Sequence, residues 1–424
     1  MVPPPALPRV AVPTLLPRPF QTVCQVGKGS YGIVWSARHR QRDTQVAIKH
    51  IDRVFCGSSA DSIRILRELK FLRYLKHPNI IQVEDVLVPQ RRQQFNDVFI
   101  VFELMDADLA HLIKSETRYD DSHIRWIMYQ LLLAVQYVHS SGVIHRDLKP
   151  GNVLVNKNCD VKLCDFGMAR ANTPGLNERG AWTDYVQSRW YRAPELICGS
   201  KLPYTGKVDA WAAGCIMGEL LRRKPIFPGR AAKQQLAFFV ETLGPPTLDT
   251  MSKFSHSEMT TYLSDLARRR PERDLMDSFP GAQPLAIELM GGLLDIDPDE
   301  RLSAEEALRH PYFEELWKLP MRPGEFIQLS SDDFAFENQT RNGYSMSQLR
   351  TLMEEEIDLW HPAEEEEGDA VAQAGAAVGG MKVSNPGEDS PDSPDEEGGA
   401  ATPPPPEDEE SALARTTSPP MSVA

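Results

Sequence analysis

The sequence lacks long hydrophobic runs and paired cysteines. No stretch of the 424 residues approaches the ~18–20 apolar residues that a membrane-spanning helix needs. The six cysteines are scattered and form no Cys-x-x-Cys pair, which argues against a disulfide framework and against a structural zinc site. We therefore expect reduced thiols and a cytoplasmic or nuclear location. The first 20 residues are apolar but contain seven prolines, a composition typical of an extended segment (1–19) and unlike a signal peptide.

The net charge of −14 is concentrated at one end of the chain. Residues 363–424 contain fifteen acidic and two basic residues, and they carry 13 of the 14 excess negative charges. The rest is nearly neutral, so the acidic excess indicates only that residues 363–424 are solvated. No nucleic acid is expected as a partner. Because residues 363–424 have almost no large apolar side chains, they cannot bury enough surface to offset their ordering entropy. We predict an acidic disordered tail.

Two hydrophobic patterns divide the remaining residues. Alternation typical of strands begins at about Phe20 and is interrupted by one amphipathic helical stretch around residues 63–75. From about residue 121 the spacing is mainly helical. A strand-rich part followed by a longer helix-rich part predicts an α+β protein with two lobes of unlike class.

A glycine-rich segment lies between the first two predicted strands. It consists of Val26, Gly27, Lys28, Gly29, Ser30, Tyr31 and Gly32, with Val34 two residues further on. Glycines let backbone N–H groups approach phosphate oxygens closely. The spacing alone also fits a dinucleotide site or an ordinary turn. A dinucleotide site needs a helix directly after the loop, whereas here a second strand is predicted.

The next predicted strand carries Lys49, and the amphipathic helix carries Glu68. Taken alone, each would be interpreted as a solvated surface charge. An ion pair between them would direct the ammonium group at the α- and β-phosphates of a nucleotide. The pair would also make activity depend on the position of the helix.

Two further motifs supply the groups that phosphoryl transfer requires. They are His145-Arg146-Asp147-Leu148-Lys149-Pro150-Gly151-Asn152 and Asp165-Phe166-Gly167. Asp147 can accept the proton of an attacking hydroxyl, and Lys149 can lie beside the γ-phosphate. Asn152 and Asp165 can bind two Mg²⁺ ions. These motifs, together with the glycine-rich segment and Lys49, predict ATP-dependent phosphoryl transfer.

Taken in order, the motifs resemble those of eukaryotic protein kinases over about residues 20–313. The resemblance implies a bilobal fold with ATP and Mg²⁺ in the cleft, a β-rich N-lobe (20–103) with one key helix, and an α-rich C-lobe (104–313). Phe102 falls at the gatekeeper position behind the nucleotide. The implied nucleotide-binding residues are the glycine-rich segment, Val34, Ala47, Lys49, the backbone of Glu103 and Met105, Asp108 and Leu154.

Residues 182–195 resemble the activation segment of mitogen-activated protein kinases, with a TDY variant at Thr183-Asp184-Tyr185. The resemblance implies that an upstream dual-specificity mitogen-activated protein kinase kinase phosphorylates Thr183 and Tyr185, and that phosphatases reverse this. The phosphates would pair with arginines. The implied partners are Arg67, Arg146 and Arg170 for Thr183, and Arg189 and Arg192 for Tyr185. The resemblance also implies that Ser188 bridges Asp147 and Lys149.

The segment after Tyr185 also resembles that of proline-directed kinases, which implies protein substrates with Ser/Thr-Pro sites. Residues 314–362 resemble a C-terminal extension that packs back on the kinase, and we expect a monomer. The family's acidic docking patch is replaced around Lys318 and Arg322 by basic and apolar residues, so docking of basic motifs is not expected.

Two alternatives are left open. A pseudokinase scaffold would usually have lost Lys49, Asp147 or Asp165, and all three are present. A cyclin-dependent kinase is favoured by Phe102 and opposed by the Thr-x-Tyr motif and the C-terminal extension.

Overall fold

The structure is a computed structural model that describes residues 19–29, 32–88, 95–171, 189–201, 205–269, 275–319, 329, 334, 336 and 343–361. All of these up to Trp360 belong to one unit of the chain, and His361 belongs to a second, residues 361–418. The predicted proline-rich extension and the predicted acidic tail lie outside the described residues, except for residue 19.

An antiparallel five-stranded sheet of order β1-β2-β3-β5-β4 forms the first lobe. Its strands are β1 Phe20–Gly29, β2 Gly32–His39, β3 Thr44–Ile51, β4 Val83–Leu87 and β5 Val98–Glu103. Side chains alternate between its faces. In β5, Phe99 and Val101 join a small cluster on one face, whereas Val98, Ile100 and Phe102 join the main core on the other. The continuous apolar run of β5 therefore reflects burial on both faces of this strand.

One long helix, α1 (Ser59–Tyr74), packs in this lobe. Ser58 caps it by accepting a hydrogen bond from the backbone N–H of Asp61, which satisfies one of the free donors of the first turn. Leu66, Leu69 and Leu72 are completely buried. These residues form the apolar stripe that predicted the helix, and their burial fixes which side of α1 faces the core.

The second lobe is mainly helical, with short strands near the first lobe. The helices of residues 104–313 are α2 Leu109–Lys114, α3 Asp121–Ser140, α4 Pro194–Cys198, α5 Lys207–Arg222, α6 Ala232–Leu243, α7 Leu248–Lys253, α8 Glu258–Ala267, α9 Pro284–Leu293 and α10 Ala304–Leu308. The short strands are β6 Ala107–Asp108, β7 Val143–Ile144, β8 Val153–Val155, β9 Val161–Leu163 and β10 Arg170–Ala171. They form a β6-β8-β9 sheet and a β7-β10 pair, which hold the loops between them in place.

Close packing around α5 forms the centre of this lobe. Trp211 is completely buried, and its ring lies 4.9 Å from that of Phe239. A Cβ at Gly214 would lie 2.8 Å from Leu294, so α5 can approach the end of α9 only because position 214 has no side chain. Both residues lie in this packed centre.

The structure confirms the predicted α+β, bilobal fold with a β-rich first lobe, one key helix and an α-rich second lobe. The exact domain boundaries stay predictions. A last helix, α11 (Met346–Asp358), lies in the predicted C-terminal extension and contacts α1. In the ranges that the structure describes, no helix has both the length and the apolar character needed to cross a bilayer.

His77, in the turn after α1, should make stability depend on pH. Burial and the charge of Lys162 lower its pKa from 6.5 to about 4, and its Nδ1 accepts a hydrogen bond from the N–H of Asn79. Between about pH 6.5 and pH 4 the unfolded state therefore binds the extra proton, and the free energy of unfolding should fall by about 2–3 kcal/mol as the pH drops through this window.

Urea denaturation of the wild type and of His77→Asn at pH 7 and pH 4.5 would measure this effect. The wild type should lose part of its stability advantage over the variant at the lower pH. Equal pH dependence of the two proteins would show that His77 is not held neutral.

Candidate active site

Lys49 and Glu68 form a buried ion pair between the sheet and α1. The ammonium nitrogen lies 2.7 Å from each carboxylate oxygen of Glu68, and the side chains are 14% and 5% exposed. Burial alone would lower the pKa of Lys49, but the charges of Glu68 and Asp165 hold it above its ordinary value. Since β3 is paired with β2 on one side and β5 on the other, the cation has a fixed position.

A second link joins α1 to the Asp165 motif. Nη1 of Arg67 donates to the carbonyl oxygen of Gly167 at 2.7 Å. Asp165 itself has a left-handed backbone conformation, with φ of +66°, which is uncommon for a residue with a side chain. Strain of this kind is retained where the surrounding contacts fix it, and here those contacts include α1.

Asp147, Lys149 and Asn152 converge in the loop after β7. Nζ of Lys149 lies 2.5 Å from Oδ2 of Asp147, and Nδ2 of Asn152 donates to the same oxygen at 3.1 Å and to the Asp147 carbonyl at 2.8 Å. Burial and the nearby Asp165 raise the pKa of Asp147, against the opposing charge of Lys149. The loop thus presents a buried carboxylate that is more basic than an ordinary aspartate.

Asp209, near the start of α5, anchors the backbone of this loop. Its carboxylate accepts hydrogen bonds from the backbone N–H groups of His145 and Arg146 at 2.8 and 2.9 Å, and it contacts Nε2 of His139 at 3.0 Å. Burial alone would raise the pKa of Asp209, but its hydrogen bonds, above all that from His139, lower it. Arg146 has a φ of +68°, so the anchored backbone lies in a region that it would not adopt unaided.

The residues present fit Mg²⁺. Because Asn152 uses its amide nitrogen in bonds to Asp147, its oxygen Oδ1 is the atom suited to a cation. Together with the carboxylate of Asp165 it supplies hard oxygen ligands, which Mg²⁺ prefers. Among the residues that the structure describes, no three His, Cys, Asp or Glu side chains are grouped to hold a metal. A site completed by phosphate oxygens is the arrangement that Mg²⁺ commonly uses.

The predicted base-binding residues are distributed over both lobes. Val34 is opposite Lys49 in the sheet, Ala47 is opposite Phe102, and Leu154 is opposite Asp108. Val34, Ala47, Leu154 and Met105 are half-buried, and Phe102 is buried.

Two acids near this region have their side chains engaged elsewhere. The Glu103 carboxylate contacts Lys162 at 2.9 Å and accepts from the N–H of Gln82, which leaves its backbone as the part available to a nucleotide. The Asp108 carboxylate caps α2 by accepting from the N–H of His111 at 2.7 Å.

The glycine-rich segment is only partly described. Val26 and Lys28 are exposed, and Gly27 pairs with Val34 across the hairpin. A Cβ at Gly32 would lie 2.3 Å from the carbonyl oxygen of His50, so the close approach of β2 to β3 requires glycine there. Gly29 lies opposite Gly32 in the register. Ser30 and Tyr31 lie outside the described residues.

Comparison with known proteins identifies the family. The sequence model described as the protein kinase domain matches residues 20–313. The chain belongs to the protein kinase family. It is similar to mitogen-activated protein kinase 10 of Oryza sativa subsp. japonica, 43% identical over 338 residues that cover 80% of this chain and 54% of that one. It is also 43% identical to mitogen-activated protein kinase 20 of Arabidopsis thaliana over 338 residues, 80% of this chain and 55% of that one.

This chain thus spans about half the length of the curated relatives that it matches. The predicted resemblance to mitogen-activated protein kinases is confirmed at the level of the family.

The arginines predicted to bind a phosphate on Thr183 meet at one backbone segment of the kinase. Arg67, Arg146 and Arg170 donate to the carbonyl oxygens of Gly167, Met168 and Ala169 respectively. Three guanidinium groups thus lie around three successive peptide units, directly before the segment that contains Thr183. Thr183, Tyr185 and Ser188 themselves lie outside the described residues.

The other predicted arginines lie at the start of the next described segment. Arg189 donates to the carbonyl oxygen of Arg230, and the N–H of Arg192 donates to the carbonyl oxygen of Arg189. At the end of this segment, Glu195 accepts two parallel hydrogen bonds from Arg301 at 2.7 and 2.9 Å. The kinase therefore fixes the far end of this segment to the core of its second lobe.

Sequence reasoning missed His139 as a site residue. It lies in the last turn of α3, six residues before His145, and it is linked to the site through Asp209. No local motif marks it, because the pairing depends on how α3 packs against α5. A Cβ at Gly206 would lie 2.6 Å from the His139 ring, so the ring is also packed beneath the start of α5.

Proposed function

We propose that this chain is an ATP-dependent protein serine/threonine kinase of the mitogen-activated type, which phosphorylates Ser/Thr-Pro sites of protein substrates. The observation that carries the proposal is the buried Lys49–Glu68 ion pair with Asp165 beside it. Burying a charge pair carries a large desolvation penalty. The position of this pair between β3 and α1, with the charge of Asp165 acting on it, favours a role in holding phosphates over a role in stability alone.

Each residue in the cleft then has a defined task. Lys49, oriented by Glu68, binds the α- and β-phosphates, and Asn152 and Asp165 supply the protein oxygens for Mg²⁺. Mg²⁺-ATP, when bound, supplies the transferable phosphoryl group and neutralises charge that develops during transfer. Asp147 accepts the proton of the substrate hydroxyl, a task that its raised pKa favours. Lys149 holds that carboxylate and can contact the γ-phosphate.

Regulation is proposed to act through Thr183 and Tyr185. Arg67, Arg146 and Arg170 already surround residues 167–169, so a phosphate on Thr183 would find three cations nearby. A phosphate adds about −1.5 to −2 charges and can form one to three charge-assisted hydrogen bonds. Such bonds would order the segment that also contains Ser188, which we propose bridges Asp147 and Lys149.

The proposed partners follow from this regulation. An upstream dual-specificity mitogen-activated protein kinase kinase would add the two phosphates, phosphatases would remove them, and Ser/Thr-Pro proteins would be substrates. We propose that the kinase acts as a monomer in the cytoplasm or nucleus.

Loss of the two phosphorylation sites should lower activity strongly. Thr183→Ala/Tyr185→Phe protein, treated with an activating kinase in parallel with the wild type, should phosphorylate a Ser-Pro peptide at least ~10-fold more slowly, since one lost charge-assisted hydrogen bond is worth about 1.5–3 kcal/mol. The measurement is transfer of radiolabelled phosphate from ATP.

A peptide with Ser-Ala in place of Ser-Pro is the specificity control. Equal rates on the two peptides would contradict proline direction, and equal rates of the two proteins would contradict dual phosphorylation. No transfer by the phosphorylated wild type would overturn the proposal as a whole and favour a scaffold.

A further inference from the structure

The helix α11 packs against α1. Leu349, Met353 and Ile357 form an apolar stripe at helical spacing and are 1%, 0% and 3% exposed. Phe334, also buried, stacks on Phe71 of α1 at 4.5 Å between ring centroids. This contact area is apolar, as expected for two packed elements. One charged side chain is nevertheless buried between the two helices.

That charge is Glu356, whose side chain is completely buried. Its oxygen atoms accept from Nε and Nη2 of Arg73 at 2.7 and 3.2 Å. Oε2 also lies 3.1 Å from Nζ of Lys70. A buried carboxylate is costly unless it is paired, and here two cations of α1, Lys70 and Arg73, pair with this single group.

The cations that Glu356 binds are on the same helix as Glu68. Lys70 and Arg73 follow Glu68 by two and five residues, within about 8 Å of helix axis. Glu68 meets Lys49 at 2.7 Å, and a movement of α1 by about 1 Å would take that contact beyond hydrogen-bonding range. A regular helix moves as one body over so short a length. Glu356 therefore limits the movement that would break the Lys49–Glu68 pair.

A chain of rings connects the same surface to the Asp165 motif. Phe71 lies 6.5 Å from Phe166, and Phe166 lies 4.9 Å from His145 of the catalytic loop. Phe334 thus supports α1 at the end of this chain. Its apolar contact is not directional, whereas the hydrogen bonds that Arg73 donates to Glu356 are.

We infer that Glu356 is a positioning residue for phosphoryl transfer, which holds α1 at the point where Glu68 meets Lys49. The inference rests on the proposed function for the reaction that it affects. It assigns a role to a residue nearly 300 positions from its partners. In this arrangement α11 of the same chain fixes the position of α1.

The test compares Glu356→Gln with Glu355→Gln in the full-length, phosphorylated protein. Glutamine keeps the size of the side chain and removes the charge. Glu355 is the adjacent, exposed residue of α11, and its variant should behave like the wild type. For Glu356→Gln we expect kcat to fall about tenfold or more and the KM for the peptide to change by less than twofold, since α1 does not form the peptide site. Glu356→Asp, which keeps the charge, should recover part of the loss.

Two further measurements separate positioning from simple loss of stability. In a Glu68→Ala background, Glu356→Gln should lower kcat by less than twofold, because the pair through which it acts is already absent. Amide hydrogen exchange should speed up in α1 of the Glu356→Gln protein and stay unchanged in α3.

The inference is overturned if Glu356→Gln keeps wild-type kcat, or lowers it by the same factor with and without Glu68. It is also overturned if the faster exchange is confined to α11 or spreads equally to α3. A wild-type protein without kinase activity would contradict the proposed function. Hydrogen exchange does not depend on phosphoryl transfer, so it would still test whether Glu356 holds α1 in place.

Discussion

Replacing Asp147 by asparagine is expected to lower kcat for peptide phosphorylation by about 10²–10⁴-fold, the range in which a positioned general base contributes. Asparagine has nearly the same shape, and its oxygen can still accept a hydrogen bond from Lys149. It cannot take up the proton of the substrate hydroxyl. The KM for ATP should stay within a few-fold of the wild-type value, because Lys49, Asn152 and Asp165 are unchanged.

The measurement is the steady-state rate as a function of ATP and of peptide concentration. Asp52→Asn removes an exposed carboxylate in the first lobe and serves as the matched control. Since burial raises the pKa of Asp147, wild-type kcat should fall at acid pH, and at a higher pH than an ordinary aspartate would produce. A variant that retained more than a tenth of the wild-type kcat would show that Asp147 does not act as the base.

The motifs were informative because the chemistry restricts both residue type and order. Phosphoryl transfer needs a carboxylate near the hydroxyl, oxygen ligands for Mg²⁺ and a fixed cation, and few substitutions satisfy these needs. The sequence therefore indicated Asp147, Lys149 and Asn152, and the structure brings them into contact. The α+β fold was predictable for a similar reason, since strand and helix periods differ clearly along the chain.

Buried charges were harder to interpret than apolar residues. Hydrophobic periodicity shows which face of α1 is apolar. It does not show that Arg67 and Glu68 are buried, since charged helix residues are usually on the surface. In the structure these two residues are only 3% and 4% exposed. Only the family resemblance distinguished them. Asp108, which is half-buried, was also indicated only by the family resemblance, and its carboxylate caps α2. A charged side chain looks the same in sequence whether water or a distant partner satisfies it.

The partners of Glu356 and His139 could not be predicted from the sequence. Glu356 lies 283 residues from Arg73, and His139 is linked to the catalytic loop through Asp209. Nothing local to Glu356 separates it from Glu354 and Glu355 in the same acidic run. The distinction arises when α11 packs on α1 and only one of the three carboxylates faces the cations. That step depends on tertiary packing, on which single-sequence patterns carry no information.

Arg301→Met is expected to lower the free energy of unfolding by about 3–5 kcal/mol, because removing one partner leaves a buried charge uncompensated. The Arg301 side chain is fully buried. Besides its two bonds to Glu195, it donates to the carbonyl oxygens of Asp295 and Lys207 at 2.9 and 3.0 Å. Methionine fills a similar volume and satisfies none of these acceptors. Urea denaturation, followed by far-ultraviolet circular dichroism, measures the effect.

Two controls separate the burial of this pair from the mere presence of an ion pair. Arg309 and Glu305 form an exposed pair at 2.5 Å, one helical turn apart, with side chains 71% and 59% exposed, so Arg309→Met should change stability far less. The double variant Glu195→Gln/Arg301→Met should lose less than Arg301→Met alone, because no charge remains buried without a partner. If Arg301→Met instead lowered the free energy of unfolding no more than Arg309→Met does, water must reach Glu195. The segment from Arg189 to Glu195 would then lack the rigid support on which the proposed effect of phosphorylation depends.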